Sequence, residues 1–165
     1  MKNIIRGAIF KVGDDINTDY ILPAKFLDLY EPADLAPHAF EGMGLEFMKR
    51  MRGRTIVVGG ENFGMGSARE QAPNALKGAG IQAVIAKSFA RIFYRNTINV
   101  GIAAIESPDA VEAVAEGEEM TIDLETGTIR VRDKEFSFSP FPQPVIDLLS
   151  AGGMVPLLRR RLNLF

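Results

Sequence analysis

Cysteine is absent from the 165 residues, and histidine occurs once, as His38. No disulfide can form, and neither a thiolate-bound zinc ion nor an iron–sulfur cluster finds ligands in such a chain. A lone histidine cannot assemble a metal site, so His38, in a Pro-flanked stretch, is expected to be structural. Neither sign of charge dominates: 19 basic side chains stand against 21 acidic ones, interspersed along the chain. That excludes the clustered basic face of a nucleic-acid binder. The one basic run, Arg159 to Arg161, is short and terminal and reads as a solvated helix end. No apolar run approaches a membrane span, and Met1 to Arg6 is charged too soon to read as a signal peptide; cytoplasm is the expected location. What is present is 47% hydrophobic and 24% charged, a soluble globular balance for one domain over residues 1–165.

Hydrophobic periodicity divides the chain into short elements. Ile4 to Val12 alternates and reads as a first strand, followed by a polar turn at residues 14–19, a short extended piece at Tyr20–Pro23 and a loop at 24–31. Pro32 to Phe40 reads as a helical turn and Leu45 to Met51 as a helix stopped by Gly53. Thr55–Gly59, Ile81–Ala86 and Val100–Ile105 are compact apolar strands. The spacing predicts helices over Ala68–Lys77, Ser88–Thr97, Asp109–Ala115 and Pro142–Leu149. Residues 120–124, 128–132 and 135–138 read as an antiparallel meander. Alternating β and α elements followed by a meander argue a single α/β domain whose mixed sheet curls into a partial barrel with flanking helices.

The segment Gly59-Gly60-Glu61-Asn62-Phe63-Gly64-Met65-Gly66-Ser67-Ala68-Arg69-Glu70-Gln71-Ala72-Pro73 leaves a buried strand, passes four glycines and enters a helix. Such glycine density lets backbone N–H groups approach a ligand closely, and a helix start adds positive potential, so an anion such as a carboxylate is the natural guest. Neither nucleotide motif fits. A P-loop needs lysine where Gly66 stands, and a dinucleotide fingerprint needs glycine where Arg69 stands. Arg69 instead suits bidentate carboxylate recognition. Ser67-Ala68-Arg69-Glu70 also has the form of a capping box, and on spacing alone a capping role for Ser67 is the stronger reading. Pro73 requires that the helix kink there or that its regular part start later.

Asn62 to Pro73 resembles the Asn-Phe-Gly-x-Gly-Ser-Ser/Ala-Arg-Glu-His/Gln-Ala-Pro motif of the mobile small domain of the aconitase superfamily. Residues 86–96, Ala-Lys-Ser-Phe-Ala-Arg-Ile-Phe-Tyr-Arg-Asn, and residues 13–23, Gly-Asp-Asp-Ile-Asn-Thr-Asp-Tyr-Ile-Leu-Pro, resemble two further motifs of that family. The length is similar to that of the free-standing small subunits of 3-isopropylmalate dehydratases and homoaconitases. The resemblance implies a swivelling domain of a two-subunit hydro-lyase that removes water from a hydroxy-di- or tricarboxylate and returns it to the neighbouring carbon, as in leucine biosynthesis. It implies Ser67 as the base that takes the proton α to a carboxylate, and Arg69 as a substrate carboxylate ligand beside the Gly64 and Gly66 backbone. It implies no cofactor in this chain, and a [4Fe-4S] cluster in a large-subunit partner without which the chain is inactive. Surface meant for that partner can drive self-association of the isolated chain. Ala68 departs from the two-serine form of the motif. Lys87, Ser88, Arg91 and Asn96 are expected to serve capping and core support rather than the substrate.

In this family substrate choice is attributed to the loop after the first motif, here Lys25, Phe26, Leu27, Asp28, Leu29 and Tyr30. Members acting on an extra carboxylate tend to carry arginine in it. Here Asp28 stands near that position between two leucines, which suits an isopropyl group and repels an acidic one. 3-Isopropylmalate is therefore the favoured substrate. Another alkyl-malate, or homoaconitate bound through Lys25, stays open, as does a non-catalytic anion-binding domain.

Overall fold

The computed structural model describes residues 3–164. In chain order it contains β1 (Ile4–Lys11), α1 (Thr18–Ile21), α2 (Pro32–Leu35), α3 (Leu45–Met51), β2 (Ile56–Val58), α4 (Gln71–Gly78), β3 (Ala83–Ala86) and α5 (Arg91–Asn99). There follow β4 (Ala103–Glu106), α6 (Pro108–Ala113), β5 (Glu119–Asp123), β6 (Thr128–Val131), β7 (Lys134–Ser137), α7 (Gln143–Ala151) and α8 (Met154–Arg161). Short 3-10 turns occupy Ala24–Phe26, Ala36–His38 and Glu41–Met43.

The seven strands form one mixed sheet in the order β4-β3-β2-β1-β5-β6-β7, curled into a partial barrel, as the order of elements predicts. β1, β2, β3 and β4 pair in parallel, and β1 turns its other edge to β5 in antiparallel register. Side chains alternate across the pleat. Phe10, Val57 and Val84 face one apolar cluster together with Leu76, Phe63 and Phe93. Their neighbours Ile9, Ile56, Val58 and Ile85 face a second cluster, completed by Val111, Ile122, Ile129 and Leu149. Covering on both faces is why β2 and β3 are continuous apolar runs with every residue buried. The loops after β1, β2 and β3 therefore emerge at one edge of the sheet, the carboxyl ends of parallel strands, where α/β sheets place their ligand sites.

Several local expectations shift. Tyr20–Pro23 is not an extended piece: Asn17 accepts the Asp19 N–H at 2.7 Å and caps the single helical turn α1. The helix expected from Ala68 begins at Gln71, which places Pro73 in the first turn, where its missing N–H costs nothing. The helix expected from Ser88 begins at Arg91, because Phe63 and Phe89 form a parallel bridge that keeps residues 88–90 extended. Phe89 thus does not share a helix face with Phe93, and Ile92 is exposed while Phe93 is buried. Beyond α7, Gly152 and Gly153 turn the chain into α8, a helix the periodicity did not reveal; it carries Arg159 to Arg161 on its solvated last turn.

Candidate active site

Three chain segments far apart in sequence meet at the carboxyl edge of the parallel strands. The Gly64 N–H donates to the Ile16 carbonyl at 2.7 Å, and the Thr18 N–H to the Met65 carbonyl at 2.9 Å. The Phe63 N–H donates to the Ser88 carbonyl, and the Ala90 N–H to the Phe63 carbonyl, both at 3.0 Å. Side chains reinforce this stitching. Asp14 accepts the Glu61 N–H at 2.8 Å, Ser88 Oγ accepts the Asn62 N–H at 2.9 Å, and the Asn62 amide donates to Asp15 at 3.1 Å. The three motifs named from the sequence are thus one hydrogen-bonded unit.

Within it, the chain from Gly64 to Arg69 makes an open loop. Gly64 and Gly66 have φ of 84° and 101°, in the left-handed region that other residues enter only at a cost. Gly64 backs directly onto the Phe93 ring: a Cβ there would stand 2.0 Å from Cγ. The glycines therefore serve a close approach of loop to helix α5 as well as a turn. Among the described residues, no acceptor engages the N–H groups of Gly66, Ser67, Ala68 or Arg69. Four successive free donors on an exposed loop form a concavity suited to an anion.

Ser67 sits in this loop, exposed, and its hydroxyl accepts from Arg69 Nη2 at 3.4 Å. It is not a helix cap. The N-cap of α4 is Glu70, three residues on, without a side-chain capping bond, so the capping-box reading of Ser67 and Glu70 is not realised. Arg69 is 18% exposed and held by Asp19, Nη1 to Oδ1 at 2.6 Å. A bidentate guanidinium so placed keeps its Nη2 edge toward Ser67 and the cleft. Thr18, Gly64, Gly66, Ser67, Arg69 and Arg91 are among the residues lining a cleft of about 210 Å³. At its base lies Thr18, 1% exposed, whose Oγ1 has no hydrogen-bond partner among the described residues. Thr18 and Asp19 belonged to a motif named from the sequence, but nothing in their spacing shows that the turn after β1 would pass under Gly66. Only the parallel pairing of β1 with β2 brings them together.

The loop expected to set specificity lies outside this cleft. None of Lys25, Phe26, Leu27, Asp28, Leu29 or Tyr30 lines the Ser67 cleft. Phe26 stacks on His38 with ring centroids 3.7 Å apart, His38 bonds Glu41 at 2.7 Å, and Lys25 pairs with Glu41 at 3.7 Å. His38 is thus a structural side chain, as its isolation suggested, and Lys25 has a carboxylate partner already. Leu29 and Phe26 pack against the core cluster, whereas Asp28 is exposed and Tyr30 is 71% exposed. One link joins the loop to the site: the Gln71 amide, at the start of α4, donates to the Leu27 carbonyl at 3.3 Å. Lys87 pairs with Glu112, which raises its pKa through the hydrogen bond, and Ser88 braces the loop. Ser88 supports the loop, Lys87 makes a surface ion pair rather than a cap or core contact, and Arg91 reaches the cleft.

Comparison with known proteins places these features. Residues 38–110 match the family model of the aconitase C-terminal domain. The 3-isopropylmalate dehydratase small subunit of Caldanaerobacter subterraneus is 43% identical over 96% of this chain and 100% of its own length. The isopropylmalate/citramalate isomerase small subunit of Methanocaldococcus jannaschii is 44% identical over 98% of both chains. The crystal structure of 3-isopropylmalate dehydratase from Methanocaldococcus jannaschii superposes with a TM-score of 0.86, at 42% identity, over 96% of this chain and 95% of that one.

Proposed function

Since this chain belongs to the family of 3-isopropylmalate dehydratase small subunits, we propose that it is the small subunit of a hydro-lyase that interconverts 2-isopropylmalate and 3-isopropylmalate by loss and return of water. The observation that carries the site assignment is the loop from Gly64 to Arg69: an exposed serine hydroxyl within reach of a guanidinium, amid backbone N–H groups with no other acceptor.

Ser67 Oγ, as the alkoxide, takes the proton from the carbon α to a substrate carboxylate and becomes the hydroxyl, which returns that proton on rehydration. The C–H electron pair becomes the new double bond as the hydroxyl leaves the neighbouring carbon, and rehydration runs the same steps with the carbons exchanged. A serine hydroxyl is a weak base, and its alkoxide must be stabilised by positioned donors and a nearby cation. The free N–H groups of the loop and the Nη2 edge of Arg69 supply both, and Asp19 fixes the orientation of that guanidinium. Arg69 also binds a substrate carboxylate, beside the backbone of Gly64 and Gly66, which line the same cleft.

An iron–sulfur cluster would supply the Lewis acid for the departing hydroxyl, and a chain without cysteine has no thiolates to hold one. On this reading a large subunit would hold the cluster, and residues 1–165 act against it as one swivelling domain. Among the described residues no helix is long and apolar enough to cross a membrane. Asp28 is exposed and makes no ion pair among the described residues, which favours an alkyl-malate over a substrate bearing an extra carboxylate. Citramalate is the second reading, because the Methanocaldococcus relative is named for both substrates.

The test is co-expression with a cysteine-bearing large subunit from the same genome, followed by assay on 3-isopropylmalate, citramalate and homoaconitate. Turnover of 3-isopropylmalate by the pair, and by neither chain alone, is the expected result. A chain that neither binds that subunit nor supports any of the three reactions would be a non-catalytic anion-binding domain.

A further inference from the structure

A second and larger cleft, of about 650 Å³, adjoins the Ser67 cleft, and Arg91 lines both. Its walls are the start of α5, the end of β4 and the segment between β7 and α7. Two aromatic pairs frame it. Phe89 and Tyr94 meet edge to face at 5.5 Å, and Phe138 and Phe141 at 6.1 Å. Burial and the nearby Glu106 carboxylate push the Tyr94 phenol up, so it stays a neutral donor. Arg91 and Arg95, one turn apart on α5, both point charge at this cleft, and among the described residues neither has a hydrogen-bond or ion-pair partner. Three other cations on the same sheet and its flanking segments are paired, Arg50 with Glu116, Lys87 with Glu112 and Arg130 with Glu135, whereas Arg6, like Arg91 and Arg95, has no ion-pair partner among the described residues.

Aromatic rings and arginines with little competing charge are the composition of protein–protein anchor sites rather than of ordinary surface. Two unpaired guanidiniums against the single Glu106 carboxylate leave a net positive cleft, which selects a carboxylate. The shared Arg91 makes this surface continuous with the catalytic cleft, whose completion requires another chain. We infer that the cleft receives an acidic segment of the large subunit, a carboxylate between Arg91 and Arg95 with an apolar neighbour between the two aromatic pairs. This rests on the small-subunit reading above and adds where the partner anchors.

The test titrates the large subunit into the intact chain by calorimetry, using variants that avoid both the core and the Ser67 cleft. Arg95→Glu reverses one of the two charges, and Ser139→Trp fills the cleft from an exposed position. Arg6→Glu is the control for charge reversal. The strand register puts Arg6 three residues ahead of the row Ile9, Ile56, Ala83, Ala103, at the opposite end of the sheet from Glu106. Expected is a rise in Kd of roughly 10- to 100-fold for Arg95→Glu and for Ser139→Trp, with Arg6→Glu unchanged. Turnover at saturating large subunit should be retained. Wild type that binds tightly while both variants bind equally well would overturn the inference and leave the small-subunit reading intact. So would variants that alter only self-association of the isolated chain, since the occupant would then be a second copy. Failure of wild type to bind the large subunit would overturn the small-subunit reading, and this inference with it.

Discussion

Replacing Gly64 by alanine tests whether the reactive loop is held by its contact with α5. Two costs add. Gly64 has φ of 84°, and a left-handed conformation at a residue bearing Cβ costs about 1–2 kcal/mol. The new methyl would also stand 2.0 Å from Phe93 Cγ and 2.4 Å from Cδ1. That ring cannot swing away freely: it is 3% exposed and lies 5.5 Å, centroid to centroid, from Phe63. Overpacking of a well-filled site costs about 1–3 kcal/mol more. The sum, about 2–5 kcal/mol, corresponds to a fall in Tm of roughly 4–20 °C for a chain of this length. Gly80 is an internal control, because its φ is 91° yet an added Cβ there meets nothing within 4 Å. Gly80→Ala should show the backbone cost alone, about 1–2 kcal/mol. Thermal unfolding of the isolated chain reads both. Combining Gly64→Ala with Phe93→Ala removes the collision, so the double variant should be less damaged than the two singles summed, by about 0.5–3 kcal/mol. Equal losses at Gly64 and Gly80, together with strict additivity at Phe93, would refute the packing account.

Thr18→Val should leave stability unchanged or raise it by up to about 1 kcal/mol, because the buried hydroxyl has no partner to lose; a loss above about 2 kcal/mol would mean that it has one. Glu116→Gln, which removes the carboxylate charge that Arg50 pairs with at 2.6 Å, should lower stability at neutral pH by about 0.5–1 kcal/mol. Arg50 holds the Glu116 carboxyl below its ordinary value of 4.5, so this contribution is complete above pH 4.5 and fades as pH falls through the depressed pKa. Melting curves of wild type and variant should therefore converge in acid, and a constant gap would contradict the linkage. Asp28→Arg in the assembled enzyme should raise kcat/KM for homoaconitate relative to 3-isopropylmalate by roughly ten- to a hundredfold. A wild type that already prefers the tricarboxylate would contradict the substrate assignment.

The parts of the fold legible in the sequence were those governed by period and by punctuation. β2 and β3 are unbroken apolar runs, the first ended by Gly59 and the second opened after Gly80, and the meander from Glu119 to Ser137 carries its turns in its composition. The site was legible as a motif but not as geometry. Ser67 and Arg69 could be named from their neighbours, yet the same Ser-x-x-Glu pattern also spells a capping box. What decides against the cap is Pro73: it belongs in the first turn, and this delays α4 to Gln71 and leaves Ser67 in open loop. Residues 88–90 read as helix because their composition permits it, while a tertiary bridge to Phe63 holds them extended. The turn at Thr18–Ile21 was missed because its Asn17 cap acts over two residues, too short for any period. Thr18 beneath Gly66, and Asp19 against Arg69, depend on strand order, which no local pattern encodes. In the loop from Lys25 to Tyr30, Phe26 and Leu29 are engaged with His38 and the core, which leaves Lys25, Asp28 and Tyr30 as its exposed side chains.

The assignment of Ser67 as the base is tested most directly by Ser67→Ala in the assembled enzyme, with kcat, KM and Tm measured on one preparation. The hydroxyl caps no helix, and its one contact is Arg69 at 3.4 Å, so Tm should move by no more than an ordinary surface substitution, within about 0.5 kcal/mol. Turnover should fall on the order of 10²–10⁴-fold with KM little changed, as loss of a positioned base requires. Near-normal kcat accompanied by a lowered Tm would contradict the account and return Ser67 to a structural role.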